Sequence, residues 1–252
     1  MALEQRSRIR EPLARTLDLP PPFRLVALRE VGDAYAHACA EAGELGAGTI
    51  VFVGRFDLAE FAVILEPDEP LAAARRAFYA GMVALGDALA ALAPPEKPIA
   101  IVWPDAFLVD GGLVGGGRLG WPGGASESER PDWLVFGAAI RTVAVGGEAG
   151  LSPLATALGE EGFGDASAER LVESFARHLM VAIDRWQEAG FAPIAQEYLA
   201  KLKPEKGAGR EIDATGDLVV RRAGKTVERR ELAPALKATP SWFDPETGGP
   251  RW

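Results

Sequence analysis

The sequence predicts an α+β fold: a mixed, mostly antiparallel sheet backed by helices. Three observations lead there. Strand-like and helix-like segments are interleaved, but hairpins outnumber clean strand–helix–strand units. The segment 133–145 is a long apolar run that reads as a central strand. The segment 171–189 carries Leu171, Phe175, Leu179, Ile183 and Trp186 on one helical face, the pattern of a helix lying on a core.

The elements follow in order. Pro20-Pro21-Pro22 punctuates the start of the folded part, and 1–22 is expected to be a mobile extension. Residues 23–28 read as a strand. Residues 32–42 read as a helix with Ala34, Ala38 and Ala42 on one face, ended by Gly43. Thr49 to Val53 is β-branched and apolar, hence a strand, and 60–65 is another. Pro70 opens a helix from Leu71 to about Leu92, with Phe78, Met82, Leu85 and Leu89 at helical spacing; Asp68 and Glu69 suit its N-terminal dipole. Residues 99–103 form a strand, and 107–110 begin a hairpin around Gly111-Gly112 with Arg118-Leu119 on its return. The polar, Gly/Ser-rich 122–130 is a loop. After the 171–189 helix comes Gly190, then a short helix over 193–202. Composition shifts at 203–209, and 211–230 reads as a hairpin turning at Ala223-Gly224-Lys225. The closing 240–252 is Pro/Gly-rich and holds Trp242 and Trp252, with no role assigned. The expected division is an extension 1–22, a main domain 23–203, and a small β unit with a tail, 204–252.

Composition narrows the function. With 48% hydrophobic and 25% charged residues, the 252-residue chain is an ordinary globular protein, and 19 Pro with 29 Gly predict several long turns. The net charge of −9 opposes phosphate backbones, so nucleic acid is not an expected partner. No run of about 18 apolar residues predicts a membrane helix. The single Cys39 excludes an internal disulfide framework and a cysteine zinc cluster, and a reducing cytoplasm is the expected compartment. His37 and His178 are in no metal-ligand spacing, and neither a P-loop nor a G-x-S-x-G elbow is present.

The informative stretch is Val102-Trp103-Pro104-Asp105, then Val109-Asp110-Gly111-Gly112-Leu113-Val114-Gly115-Gly116-Gly117-Arg118. So many glycines weaken a strand unless the backbone must approach something closely or turn sharply. A plain glycine-rich hairpin and a ligand site both remain open on this run alone. Trp103 reads as core or as ligand wall, and Asp105 as a turn residue or a polar contact. Arg55 and Arg118 read as solvated charges or as pocket cations. Arg141 lies among apolar neighbours and therefore requires a partner.

At this stretch the chain resembles the biotin/lipoate protein ligase superfamily, whose pattern K-W-P-N-D is followed by K-x-x-G-[IV]. The resemblance continues through Glu30-Val31-Gly32-Asp33 and the Ala-rich helix after it. Phe136-Gly137-Ala138-Ala139-Ile140-Arg141 stands where the family reads G-I-G-x-N. Ala155-Thr156-Ala157-Leu158 with Glu161-Gly162 resembles A-T-S-L…E-x-G, and Trp186, Gly190-Phe191 and Tyr198 follow in the family's order. Ile212-Asp213, Gly216-Asp217-Leu218 resembles the opening of an SH3-like C-terminal domain. Together these span roughly 23–236.

The resemblance implies ATP with Mg as cofactors, and biotin, lipoate or a similar small carboxylic acid as substrate. The acid is activated as an acyl-adenylate and passed to the lysine of a biotinyl or lipoyl carrier domain. It implies a substrate and nucleotide site at Arg55, Trp103, Asp105, Gly112, Gly115, Gly116, Arg118 and Arg141. This chain departs at the family's cations. The G-R-G-R-x-G-R loop is reduced to Val53-Gly54-Arg55-Phe56-Asp57, and the two motif lysines align with Val102 and Gly112. Each charge-assisted hydrogen bond lost from a phosphate site costs roughly 1.5–3 kcal/mol. Two functions therefore stand side by side: a ligase, or a ligase-fold module that binds a small acid or acylated carrier without adenylation. An ATP-independent acyltransferase fits less well, because Gly112 and the distant Cys39 supply neither of its usual groups. Catalytic residues and oligomeric state are not assigned.

Overall fold

A computed structural model describes residues 17–30, 32–145, 154–164, 166–222, 224 and 227–251. The strands of the main sheet are β1 (Arg24–Leu28), β2 (Thr49–Gly54), β3 (Leu58–Leu65), β4 (Ile99–Val102), β5 (Ala106–Val109), β6 (Gly112–Gly120) and β7 (Leu134–Arg141). Their order is β1-β2-β3-β7-β6-β5-β4. β1 pairs parallel with β2 through helix α1 (Ala34–Leu45), and every other pair is antiparallel. The mixed, mostly antiparallel α+β sheet is thus the one the sequence predicts. β7 is central, and all eight of its residues are buried.

The two faces of the sheet are covered differently. On one face Phe52, Phe61, Phe107, Phe136 and Ile140 meet α3 (Ala77–Leu92), α4 (Ala168–Ala189) and α5 (Ala192–Lys201) in a single large core. The Phe175 ring of α4 sits 4.7 Å from Phe61 and stacks on Phe136 at 5.7 Å. On the other face Val51, Val53, Ala62, Ile64 and Val135 pack under Ala34, Ala38 and Ala42 of α1. This alternation along each strand is the period-two pattern of a sheet buried on both sides.

Several boundaries differ from expectation for local reasons. Asp33 caps α1 by accepting from Ala36 N, and the helix passes Gly43 to end at Gly46, whose N–H donates to Ala42 O. The expected 71–92 helix is two helices, α2 (Leu71–Ala74) and α3, because the backbone changes pitch at Arg75-Arg76. Glu69 pairs with Arg76 at that junction. The expected 133–145 strand stops at Arg141, where Thr142 N turns to Asp57 O. The expected hairpin over 211–230 is a three-stranded antiparallel sheet: β8 (Ala208–Ile212), β9 (Leu218–Arg222) and β10 (Val227–Arg230). Ala223 and Lys225 of its expected turn lie outside the described residues, as do 1–16 of the expected extension. Leu218, Val220 and Leu232 of this region join the main core, and Tyr79 of α3 donates to Gly216 O at 2.5 Å.

Helix α6 (Leu232–Lys237) leads to a last small hairpin, β11 (Phe243–Asp244) with β12 (Gly249–Pro250). This segment returns to the main sheet, covering the part of the second face that α1 leaves bare. No helix among the described residues is long and apolar enough to cross a membrane.

Phe175→Ala removes the ring that links β3 and β7 to α4. The expected loss is about 3–5 kcal/mol, read in a urea titration as a lower midpoint with an unchanged slope. A loss below about 1 kcal/mol would mean that the stack is not part of the cooperative core.

Candidate functional site

The sheet face opposite α3–α5 has two halves. Under α1 it is apolar. Beyond α1 it carries small residues and charges, contributed by the β2–β3 turn, β3, the start of β6 and the end of β7. Leu58, Ala106 and Ala139 form the small apolar floor.

Arg141 stands at the end of β7 and is buried. Its Nη2 donates to Pro250 O at 2.5 Å and Arg251 O at 3.3 Å, and its Nη1 to Thr156 O at 3.5 Å. Burial pulls its pKa down, opposed by the charges of Glu160 and Asp57. Asp57 in turn accepts two hydrogen bonds from Arg55, at 3.0 and 2.7 Å, which hold its carboxyl below the ordinary carboxylate value. Arg118 lies over Tyr35 at 4.0 Å and Phe243 at 5.1 Å, and donates to Asp33 at 3.3 Å. Cation–π contact on both rings fixes the guanidinium.

Glu60 completes the chain of charges. It interrupts the apolar run of β3, is 5% exposed, and accepts from Ala34 N at 2.9 Å. Burial raises its pKa, and the nearby Asp33 adds to this while Arg55 and Arg118 oppose it. Sequence reasoning passed over Glu60; a lone carboxylate inside an eight-residue apolar strand was the available signal, the same one that marked Arg141. Asp105 is also buried, and burial raises its pKa. Its carboxylate accepts from Ser241 Oγ at 2.6 Å and Ser241 N at 3.1 Å.

The glycines have steric reasons. Gly115 has φ +143, and a Cβ there would lie 1.9 Å from Ala139 O. At Gly116 a Cβ would lie 2.0 Å from Asp105 O and 2.3 Å from the Trp242 ring. The bare backbone of Gly116 is the floor of a slot filled by the Trp242 indole, whose Nε1 donates to Gly117 O at 3.2 Å. Trp242 is 1% exposed.

Of the residues singled out in the sequence, Arg55, Asp105, Gly115, Gly116, Arg118 and Arg141 thus gather at one end of one sheet face. Gly112 borders this region through Thr156, which its Cβ would touch. Trp103 does not join them: it packs with the helix-side core and lines a cleft of about 240 Å³ against the three-stranded sheet, with Lys203 and Arg210. Sequence reasoning also missed Ser241 and Trp242, although two tryptophans in a Pro/Gly-rich stretch mark a segment with something to bury. Among the described residues, no three His, Cys, Asp or Glu side chains are grouped to hold a metal ion.

A sequence profile of the biotin/lipoate A/B protein ligase family matches residues 19–200. The chain belongs to that family. A biotin protein ligase-like protein of unknown function from Silicibacter sp. TM1040 is 30% identical, with a TM-score of 0.76 over 88% of this chain and all of the other. Biotin protein ligase from Aquifex aeolicus is 15% identical with a TM-score of 0.64, covering 82% of this chain and 95% of that one. The same enzyme with biotin and ATP bound has a TM-score of 0.62 at 14% identity, over 81% and 94%. These distant likenesses bear on the fold. Among curated proteins no sequence matches. Val102 and Gly112 bring no charge, and Arg55, Arg118 and Arg141 all have partners within the chain.

Glu60→Gln tests the burial of charge in this face. A carboxyl whose folded pKa lies above its ordinary 4.5 binds its proton more tightly in the folded state, so stability falls as pH rises through that window. The glutamine variant does not titrate. Its melting temperature is expected to match the wild type at pH 4 and to exceed it at pH 7.5. A variant less stable at pH 7.5 would show that the arginines hold Glu60 as a net stabilising anion.

Proposed function

We propose that the protein is a biotin/lipoate ligase-like protein that takes a small carboxylic acid of the biotin or lipoate class on the charged half of this sheet face. The full reaction in that reading is ATP-dependent activation of the acid and transfer to a carrier-domain lysine. The observation that carries it is the gathering of Arg55, Asp105, Gly115, Gly116, Arg118 and Arg141 at one end of that face, in a fold shared with an enzyme solved with biotin and ATP. Arg141 and Arg118 supply guanidinium groups suited to a carboxylate. The Gly116 floor lets a flat ring lie directly on backbone, and Gly117 O and Asp105 supply acceptors beside it.

A specific observation favours a second reading, an acid-binding module that does not adenylate. Adenylation concentrates negative charge that preorganised cations must neutralise, and loss of one such donor slows a reaction about 100- to 1000-fold. Here Val102 and Gly112 replace two motif lysines, and the three arginines face Asp33, Asp57, Glu60 and Glu160.

Thermal denaturation of the purified protein with biotin, lipoate, octanoate and ATP-Mg, singly and in pairs, separates the two. A ligand at 100 times its Kd adds about 2.7 kcal/mol, which raises the melting temperature of a domain this size by about 5–10 °C. A pair of ATP and one acid shifting more than either alone is the ligase outcome, and that acid is the substrate. A shift with an acid and none with ATP is the module outcome. No shift with any ligand overturns both.

A further inference from the structure

We propose that residues 241–251 are an intrachain competitor for the ligand face, a gate that any bound acid or nucleotide must displace. The proposal rests on the reading of that face as the ligand site and adds its regulation. In the closed form the acid and nucleotide do not fit there, because the floor is taken by the chain itself. Ser241 satisfies the Asp105 carboxylate through both its N–H and its hydroxyl. The Trp242 indole fills the slot over Gly116 and donates to Gly117 O. Phe243 lies against Arg118, and the carbonyls of Pro250 and Arg251 accept from Arg141. Four of the residues that the ligand reading uses are therefore engaged by one short segment.

The construction of this segment suits release. β11 pairs with β12 and with no strand of the seven-stranded sheet, and Arg251 N closes the hairpin on Trp242 O at 2.8 Å. Its departure breaks no sheet ladder. α6, which precedes it, stays anchored through Leu232 in the main core, with Leu232 N donating to Asp217. What the segment covers is a small apolar floor with Leu58 at its edge, far smaller than the helix-side core. It is a floor of Gly116, Ala106 and Ala139 ringed by Asp105, Arg118 and Arg141. The segment satisfies the buried Asp105 carboxylate, takes two hydrogen bonds from Arg141 and lays a ring against Arg118, and a ligand that displaces it must offer the same. Its contacts also state what a displacing ligand must bring: a flat ring with an N–H for Gly117 O, a donor for Asp105, and an acceptor for Arg141.

If the open fraction is small, the apparent affinity is lowered by that fraction, and opening the gate restores it. The test uses the full chain. Binding of biotin, lipoate and ATP-Mg is measured by calorimetry on the wild type, Trp242→Ala and Ser241→Ala, and hydrogen exchange follows the amides of Ser241, Gly248 and Arg251. Trp242→Ala is expected to tighten binding on the order of 10- to 100-fold. Ser241→Ala loses only the hydroxyl bond to Asp105 and is expected to tighten it several-fold, which keeps the test intact if the tryptophan variant folds poorly. In the wild type, ligand is expected to speed exchange at those three amides. Equal affinity in all three proteins, with the amides staying protected, overturns the gate and leaves the ligase-like reading standing. Absence of binding by any protein, with the amides already exposed in Trp242→Ala, overturns the ligase-like reading and the gate with it.

Discussion

Burial of β7 on both sides is the constraint on which the rest depends. A central strand with every residue inside demands cover above and below along its whole length. On one side the demand is met by three helices whose aromatic residues converge on Phe61 and Phe136. On the other, α1 is only 12 residues long, about 18 Å at 1.5 Å per residue, and it lies over β2, β3 and the start of β7. The far end, around Ala139 and Arg141, is left for another part of the chain to cover. That remainder is where the charges, the glycines and the returning segment 241–251 meet.

Placing charge on such a face couples distant parts of the chain. Glu60 takes the N–H of Ala34, so the N-terminus of α1 is fixed to the middle of β3. Arg118 ties β6 to Asp33 and Tyr35 at the same helix. Arg55 and Asp57 close the β2–β3 turn on itself, and Thr142 Oγ1 donates to Phe56 O to seat that turn against the end of β7. Each tie satisfies a group whose desolvation would otherwise destabilise the fold. The charged half is thus held to one geometry by partners far apart in sequence, which is the condition a preorganised site requires.

This explains which features were legible in the sequence. The strands of the main sheet were readable because their apolar runs are bounded by Gly, Pro and polar turns, and α4 because its apolar stripe is unbroken for about four turns. The break at Arg75-Arg76 was hidden because Ala, Arg and Phe all suit a helix, and only the packing of α3 shows it. Arg141 was legible by its contrast with Ile140 and Ala139, and Glu60 offers the same contrast between Ala59 and Phe61. The covering of Asp105 by Ser241 spans 136 residues and leaves no local pattern, since both are ordinary turn residues. Trp103 carries part of the motif, yet in the turn after β4 its ring packs on the helix side, against the core that holds Tyr79.

The balance of charge on the charged half bears on what the proposed ligand face would accept. Three arginines stand among Asp33, Asp57, Glu60, Asp105 and Glu160, so with every group ionised the surroundings do not favour a further anion. Burial raises the pKa of two of those carboxyls, Glu60 and Asp105. In the proposed reading a single carboxylate would meet Arg141. The several charges of a nucleotide triphosphate need more, and in this chain the two positions that would add lysines carry a valine and a glycine. Metal-borne charge delivered with the nucleotide would therefore weigh more heavily here than in a relative that retains those lysines. In the proposed reading, binding of an acid asks less of this electrostatic frame than its activation would, so the two steps could separate on one face.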